Sequence, residues 1–279
     1  MQPCKTQTSD FTAPADLVAT RKQLRRQLRA KRQQLTPLEQ QAASQGLGVQ
    51  LAQALARHVT KRHQPLNIAL YVANDGEIDV QTALQHAILA TTPHAEHAIE
   101  APQRPLSHSN QPLSHSNQPL SHSNQPLPLS LQTLPISYQP LLPVLHPVVA
   151  GHLLFLRIHP QTQWHSNLFG IQEPRVRCQD ICPLADIDLI LLPLVGFDAK
   201  GNRLGMGGGF YDRTLAGLTP SHKTQLWGVA HDCQHVDTLP CAGWDIPLHA
   251  ILTPSQTFWP SSPRYPHPDY ALNTGHKNR

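Results

Sequence analysis

Charge is scarce in this chain. Only 14% of its 279 residues are Asp, Glu, Lys or Arg, and aromatic residues make up 5%. A globular domain usually carries about 25% charged residues, so part of the chain is not ordinary folded domain. Long apolar runs are also missing. The longest candidate, Ile187 to Phe197, is interrupted by Pro193 and falls short of the ~20 residues that cross a bilayer. The first twenty residues lack the apolar core of a leader. The five cysteines are odd in number and scattered. Cys178 and Cys182 enclose three residues rather than two, with no second pair at metal spacing. A zinc ribbon or disulfide scaffold is thereby disfavoured. The net charge of +4 is mild and concentrated near the N-terminus, so it does not point to a nucleic-acid-binding surface over the whole chain. A reduced, cytoplasmic enzyme fits all of this, with no membrane or nucleic-acid partner expected; a monomer is expected too, although composition does not set the oligomeric state.

Proline, by contrast, is abundant: 27 residues, about twice the usual share. Much of it lies in a tandem repeat, Pro-Leu-Ser-His-Ser-Asn-Gln, over Pro105–Gln111, Pro112–Gln118 and Pro119–Gln125. Seven is the coiled-coil period, but a proline in every unit forbids helix. The composition is too poor in apolar residues to form a core. A disordered insertion at about 91–140 is expected, and loop-closure entropy makes it cheap. Its repeated His108, His115 and His122 form a weak metal-binding signal. Polar tails are expected over 1–16 and 261–279.

Between these segments the pattern alternates. A helix is predicted to run to about Leu35, with Leu17, Leu24, Leu28 and Leu35 on one face. Thr36-Pro37-Leu38-Glu39 is a strong start signal for the next helix. Strands are predicted at 66–73, 141–145, 152–158, 187–193, 225–230 and 250–253. Helices are predicted from Asp79 through Ala90 and over 210–216. Residues 169–174 read as a proline-ended loop. Strands alternating with helices imply an α/β fold with a mostly parallel sheet and helices on both faces.

The most informative segment is Leu194-Val195-Gly196-Phe197-Asp198-Ala199-Lys200-Gly201-Asn202-Arg203-Leu204-Gly205-Met206-Gly207-Gly208-Gly209-Phe210-Tyr211-Asp212-Arg213. Leu189-Ile190-Leu191-Leu192 before it is apolar on both faces, as a buried parallel strand should be. Ligands in open α/β sheets sit beyond the carboxyl ends of such strands. Glycine clusters more often serve turns. Here, however, bare amides at a helix start, joined by the fork of Arg203, make an anion site. The spacing fits neither a dinucleotide fingerprint nor a Walker loop. Asp212 would sit in the first helical turn, favourable by itself. Beside bound phosphate it would also repel unless a cation intervened, and Mg²⁺ suits mixed carboxylate and phosphate oxygens.

This segment resembles the signature of the 5-formyltetrahydrofolate cyclo-ligase family: an apolar strand, Gly-hydrophobic-Asp, a turn, then Arg-Leu-Gly-x-Gly-x-Gly-aromatic-Tyr-Asp. The likeness extends to Leu142-Pro143-Val144-Leu145-His146-Pro147, Phe169-Gly170-Ile171-Gln172-Glu173-Pro174 and Trp244-Asp245-Ile246-Pro247-Leu248. It implies one domain over about 17–260, a three-layer αβα sandwich of the ribose-5-phosphate isomerase and CoA-transferase type. The implied activity is ATP- and Mg²⁺-dependent cyclisation of 5-formyltetrahydrofolate. Arg203 and Tyr211 would act at the reacting group. Arg21, Arg25, Arg203, Leu204, Gly205, Met206, Gly207, Gly208, Gly209, Phe210 and Tyr211 would hold ATP. Val72, Glu77, Phe169 and residues 206–210 would meet folate, and Asp212 and Asp245 would hold Mg²⁺. Gly208 stands where some relatives carry Lys, leaving one positive charge fewer.

Plainer readings stay open beside these. Arg21, Arg25 and Arg32 form a ridge beside the leucine stripe of the first helix, yet such a ridge also suits a solvated basic face or weak RNA binding. Glu77 reads equally as an exposed turn residue, and Phe169 as a core phenylalanine. His231-Asp232-Cys233-Gln234-His235 reads as a turn with a capping Asp. A different ATP-dependent small-molecule kinase or ligase, or a non-catalytic anion- or RNA-binding module, are the alternative functions.

Overall fold

The computed structural model describes residues 15–58, 64–90, 137–218 and 222–261. The tandem repeat and both expected tails lie almost wholly outside the described residues. Helix α1 (Ala15–Gln33) and helix α2 (Pro37–His58) come first, then β1 (Leu66–Ala69) and α3 (Val80–Ala90). Strands β2 (Tyr138–Leu145), β3 (Leu153–Arg157), β4 (Trp164–Ser166), β5 (Gln172–Pro174), β6 (Ile181–Cys182) and β7 (Leu189–Pro193) follow. The hairpin β8 (Gly196–Phe197) and β9 (Arg203–Leu204) leads into the short α4 (Phe210–Leu215), and β10 (Gln225–Val229), β11 (Ala250–Leu252) and β12 (Thr257–Phe258) close the described fold.

The expected start signal at Thr36 forms a full capping box. Glu39 N donates to Thr36 Oγ1 at 3.3 Å, and Thr36 N donates to Glu39 Oε2 at 2.7 Å. Asp79 Oδ1 caps α3 by accepting from Gln81 N and Thr82 N. Eight strands form one sheet in the order β12-β11-β10-β7-β1-β2-β3-β6. The five central strands, β11 through β2, run parallel; β12 and β3 run against them, and β6 pairs antiparallel with β3. This is the expected mostly parallel α/β sheet.

Strand periodicity divides β7 between two cores. Leu189 and Leu191 face α2 and α3, joined by Ile68, Leu142, Trp227 and Val229. Ile190 and Leu192 face the other side, with Leu141, Leu226, Leu215 and Leu248. The second cover is thinner than a full helical layer: α4 has six residues, and loop side chains such as Ile246 and Leu248 supply the rest.

Three local expectations are corrected. Strand β1 stops at Ala69 rather than Ala73; Leu70 N makes a last bond to Leu141 O at 2.9 Å, and beyond it Tyr71 OH donates to Ile78 O at 2.8 Å across the turn. Residues 172–174 are not loop but β5, paired with β4 in a small hairpin closed by Asn167 and Gly170. Asp232 does not cap its turn. Gln234 Oε1 accepts from His231 N instead, and Asp232 Oδ1 accepts from Ser255 Oγ.

Helix α1 matters most for position. Its Leu28 packs onto Gly196, where a Cβ would collide with the leucine methyl. Arg32, wholly buried, donates to Leu194 O at 3.1 Å. The helix therefore crosses the carboxyl ends of the central strands, with its basic ridge turned to the loop that follows β9.

Candidate active site

The loop is built from the β8–β9 hairpin outward. Asp198 is fully buried. Its carboxylate accepts from Lys200 N, Asn202 N and Asn202 Nδ2 within its own turn, and from Leu239 N at 3.1 Å across the fold. This one acid fixes the hairpin that presents Arg203 and ties it to the segment leading to Asp245. Buried Gln234 adds a second brace, donating to Leu194 O and Val195 O.

Glycine is required in the loop for definite reasons. Gly207 has φ +103° and Gly209 φ +67°, a region costly to residues with a Cβ. A Cβ at Gly208 would lie 2.8 Å from the Phe210 ring. Gly205 O accepts from Arg25 Nε at 2.8 Å, and Arg25 Cζ lies 3.5 Å from where a Gly207 Cβ would stand. Met206, Gly207 and Gly208 are exposed. Arg213 supports the far side. It donates to Gly208 O and Gly151 O and lies over the Phe210 ring at 5.7 Å.

Three arginine–carboxylate sets converge here. Arg203, 4% exposed at its side chain, donates from Nη2 to Asp212 Oδ1 at 2.5 Å. Its Nε is buried with no hydrogen-bond partner among the described residues. Arg21 forks onto Asp245 at 2.5 and 3.0 Å, and Asp245 Oδ2 also accepts from Ala242 N. Burial works to lower the Arg21 pKa, but the Asp245 carboxylate outweighs it and the net shift is upward; Asp212 acts in the same sense. For Arg25, burial and then the neighbouring Arg21 push the pKa down. The third set is Arg29 and Arg32 on Asp75.

The structure therefore gathers Arg21, Arg25, Arg203, Leu204, the glycine loop, Tyr211, Asp212 and Asp245 into one neighbourhood. Tyr211 is held protonated well above the usual tyrosine range, by burial first and then by Glu77. Glu77 joins the group through Arg32, whose Nη2 lies 3.6 Å from Glu77 Oε1 and 3.9 Å from Met206 Sδ. Phe169 is 62% exposed and meets Phe210 edge-on at 6.1 Å, so it is no core residue. Val72 is half-buried and packs toward the α2–α3 core. A hollow of about 650 Å³ opens on the Asp75 side, lined by Arg32, Gln33, Gln40, Asp75, Glu77 and Thr82 among others; it meets the loop cluster through Arg32 and Glu77 and holds no residue of the glycine loop in its wall.

A curated relative, the 5-formyltetrahydrofolate cyclo-ligase of Haemophilus influenzae, is 35% identical over 232 residues, covering 83% of this chain and 96% of the relative. The chain belongs to the 5-formyltetrahydrofolate cyclo-ligase family. Residues 128–254 also match the model of that family. The cyclo-ligase of Escherichia coli K12 is 54% identical over 117 residues, which span 42% of this chain and 64% of that relative. Among solved structures, the Aquifex aeolicus 5,10-methenyltetrahydrofolate synthetase superposes with a TM-score of 0.55 at 23% identity, covering 88% of this chain and 94% of its own. The Mycoplasma pneumoniae synthetase gives 0.52 at 19%, covering 85% and 99%. At these identities the two structures show a shared fold.

The residues missed from sequence are those that hold others. Arg29, Asp75, Asp198 and Arg213 had no assigned role, and Arg32 was only part of a ridge. One signal was available: α1 carries seven basic residues from Arg21 to Arg32 with no acid among them, so any buried member needed a carboxylate from elsewhere.

The two carboxylates expected to hold a metal are each engaged by an arginine, Asp212 by Arg203 and Asp245 by Arg21. No group of three or more ligating side chains occurs among the described residues. Mg²⁺ takes one or two carboxylates and completes its octahedron with phosphate oxygens and water, so side chains of this type have the donor chemistry for it.

Proposed function

We propose that this chain catalyses the ATP-dependent cyclisation of 5-formyltetrahydrofolate to 5,10-methenyltetrahydrofolate, with release of ADP and phosphate. The observation that carries this reading is Arg203. A buried guanidinium whose Nε has no partner among the described residues, beside a loop that needs glycine, is a site short of an anion.

The formyl oxygen of the substrate is a poor leaving group. Transfer of the γ-phosphoryl group to it makes the carbon electrophilic, and N10 of the same folate then displaces phosphate. Phosphoryl transfer asks mainly for positioning and charge neutralisation. Arg21, Arg25 and Arg203 supply positive charge, and the amides of Gly205 to Phe210 supply donors. Asp212 and Asp245 would hold Mg²⁺, which when bound neutralises phosphate charge. Glu77, beside the 650 Å³ hollow, and the exposed edge of Phe169 would orient the folate. Because the nucleophile belongs to the substrate, holding the folate bent provides much of the remaining acceleration. No protein nucleophile is needed. We take the enzyme to work as a cytoplasmic monomer with folate as its substrate class.

The test is direct. Purified chain with 5-formyltetrahydrofolate, ATP and Mg²⁺ should produce the near-ultraviolet absorbance of the methenyl product, and omission of ATP should abolish it. ATP hydrolysis or phosphoryl transfer without that absorbance would favour a different kinase or ligase.

A further inference from the structure

We propose that Glu77 is the base that takes the N10 proton when the folate ring closes, and that Arg32 and Asp75 are positioning residues that keep it available. The proposal rests on the cyclo-ligase reading. In the closing step N10 gives its electron pair to the formyl carbon and forms the N10–C bond. The C–O bond to the phosphorylated oxygen breaks, and phosphate leaves with that pair. N10 carries one hydrogen before the attack and none in the product, so a proton must go to a base.

The described groups around the loop leave few candidates. Arg21, Arg25 and Arg203 are cations. Asp212 and Asp245 are each engaged by an arginine. Tyr211 is kept protonated. His231 directs Nε2 to Gly76 O at 3.1 Å. Glu77 is also ion-paired, with Arg32, but at 3.6 Å against the 2.5 Å of the Asp212 and Asp245 pairs. Its side chain is 12% exposed, lines the hollow, and faces the loop across the Arg32 guanidinium.

The surroundings keep this carboxylate from becoming a spent ion pair. Arg32 Nη2 is 2.7 Å from Asp75 Oδ2 but 3.6 Å from Glu77 Oε1. Arg32 Nε is committed to Asp75 O and Nη1 to Leu194 O. Arg29 forks onto Asp75 as well. Asp75 thus claims most of the nearby positive charge. The turn supports this. Asp75 has φ +54° and Gly76 φ +77°, and Gln40 Nε2 and His231 both bond Gly76 O. Glu77 Oε2 accepts from Asn74 N at 3.2 Å, which pins the carboxylate in the turn.

The groups that face Glu77 are Arg29 and Arg32 from α1, Asp75 in its own turn, Tyr71 after β1, Tyr211 from α4, and His231, which bonds the adjacent Gly76. Burial pushes the Glu77 carboxyl up to about 7 against the pull of Arg32. That is the range in which a base serves best at neutral pH. The group must be ionised to act, so kcat should rise through this region and level off above it.

The experiment compares the full-length wild type with Glu77→Gln, Glu77→Asp and Asp75→Asn. Glu77→Gln is expected to lower kcat by about 100-fold or more, to lose the acid limb of the kcat profile, and to keep folate-dependent scrambling of the β,γ-bridge oxygen of ATP, which reports phosphoryl transfer alone. Glu77→Asp should keep the limb. Asp75→Asn preserves a residue tolerant of positive φ and frees Arg32, so the limb should move to lower pH. A Glu77→Gln enzyme that kept the wild-type limb, raised only KM, or lost oxygen scrambling would overturn the proposal. So would an Asp75→Asn limb that stayed in place, which decides the matter even where Glu77→Gln fails to fold. A wild type with no methenyl product would sink the cyclo-ligase reading itself, and this inference with it.

Discussion

Removing Arg203 should separate catalysis from folding. The guanidinium is 4% exposed at its side chain, meets Asp212 at 2.5 Å and leaves Nε without a partner among the described residues. If that nitrogen and its neighbours address the transferring phosphoryl group, Arg203→Ala deletes a preorganised donor aimed at developing charge. Such deletions cost about 10²–10³ in kcat, or about 2.7–4 kcal/mol. The folding cost should be smaller. Asp212 loses its partner but is 22% exposed at its side chain, so water can replace the hydrogen bond, and about 1–3 kcal/mol is expected. For a domain of this size that is about 2–4 °C of Tm per kcal/mol. Arg203→Lys keeps the charge and loses the planar fork, so its kcat should fall between the two. The assay is steady-state formation of the methenyl product at saturating ATP and Mg²⁺, beside thermal unfolding of each variant. An Arg203→Ala enzyme within tenfold of wild-type kcat would refute the reasoning. So would a loss of activity fully explained by unfolding.

Three more outcomes can be checked. Gly207→Ala, forced to φ +103° against Arg25, should cost about 1–3 kcal/mol of stability and raise KM for ATP more than it lowers kcat. Asp75 is depressed to about 2 from 3.8, by Arg29 first, so its contribution to stability is present above pH 3.8 and lost as pH falls toward 2; urea titrations should show Asp75→Asn with a flatter decline in that window. Glu77 is raised from 4.5 to about 7, so the native state retains a proton that the unfolded chain has released, and stability falls as pH rises through 4.5 to 7. Glu77→Gln should lack that fall and be more stable than wild type, relative to its own value at pH 4, when both are unfolded at pH 8.

What could be read from the sequence was whatever local chemistry dictates. The Thr36 capping box, the Asp79 cap and the two-faced apolar run of β7 depend on neighbours within a few residues, and all three stand in the structure. The glycine loop was legible for the same reason, since its φ requirements belong to individual residues. Long-range partners were not legible. Nothing near Arg32 announces that it will be buried on Asp75, 43 residues away, or that Asp198 will bond Leu239 N. The far limit of β1 was not legible either, because ladder pairing ends after Leu70 although the apolar run continues. The β4–β5 hairpin was missed because three-residue strands carry too little periodicity to register.

The scarcity of charge gives these long-range pairs their meaning. A buried ion pair is weak evidence for stability, because desolvation offsets most of its attraction. A chain with 14% charged residues nevertheless buries Arg21, Arg32 and Arg203 largely or wholly at one end of its sheet, each against an aspartate. Hydrophobic residues would hold that end together at less electrostatic cost. What they would not do is leave guanidinium nitrogens ordered in advance around a bare loop. Asp212 and Asp245 keep two of the arginines in place before any anion arrives, and the resemblance assigns the same two carboxylates to Mg²⁺. If both roles hold, Asp212→Asn and Asp245→Asn should each weaken Mg²⁺ dependence and loosen an arginine. Combining Asp245→Asn with Arg21→Ala should then cost clearly less catalysis than the product of the two single losses, because each single change already breaks the shared pair.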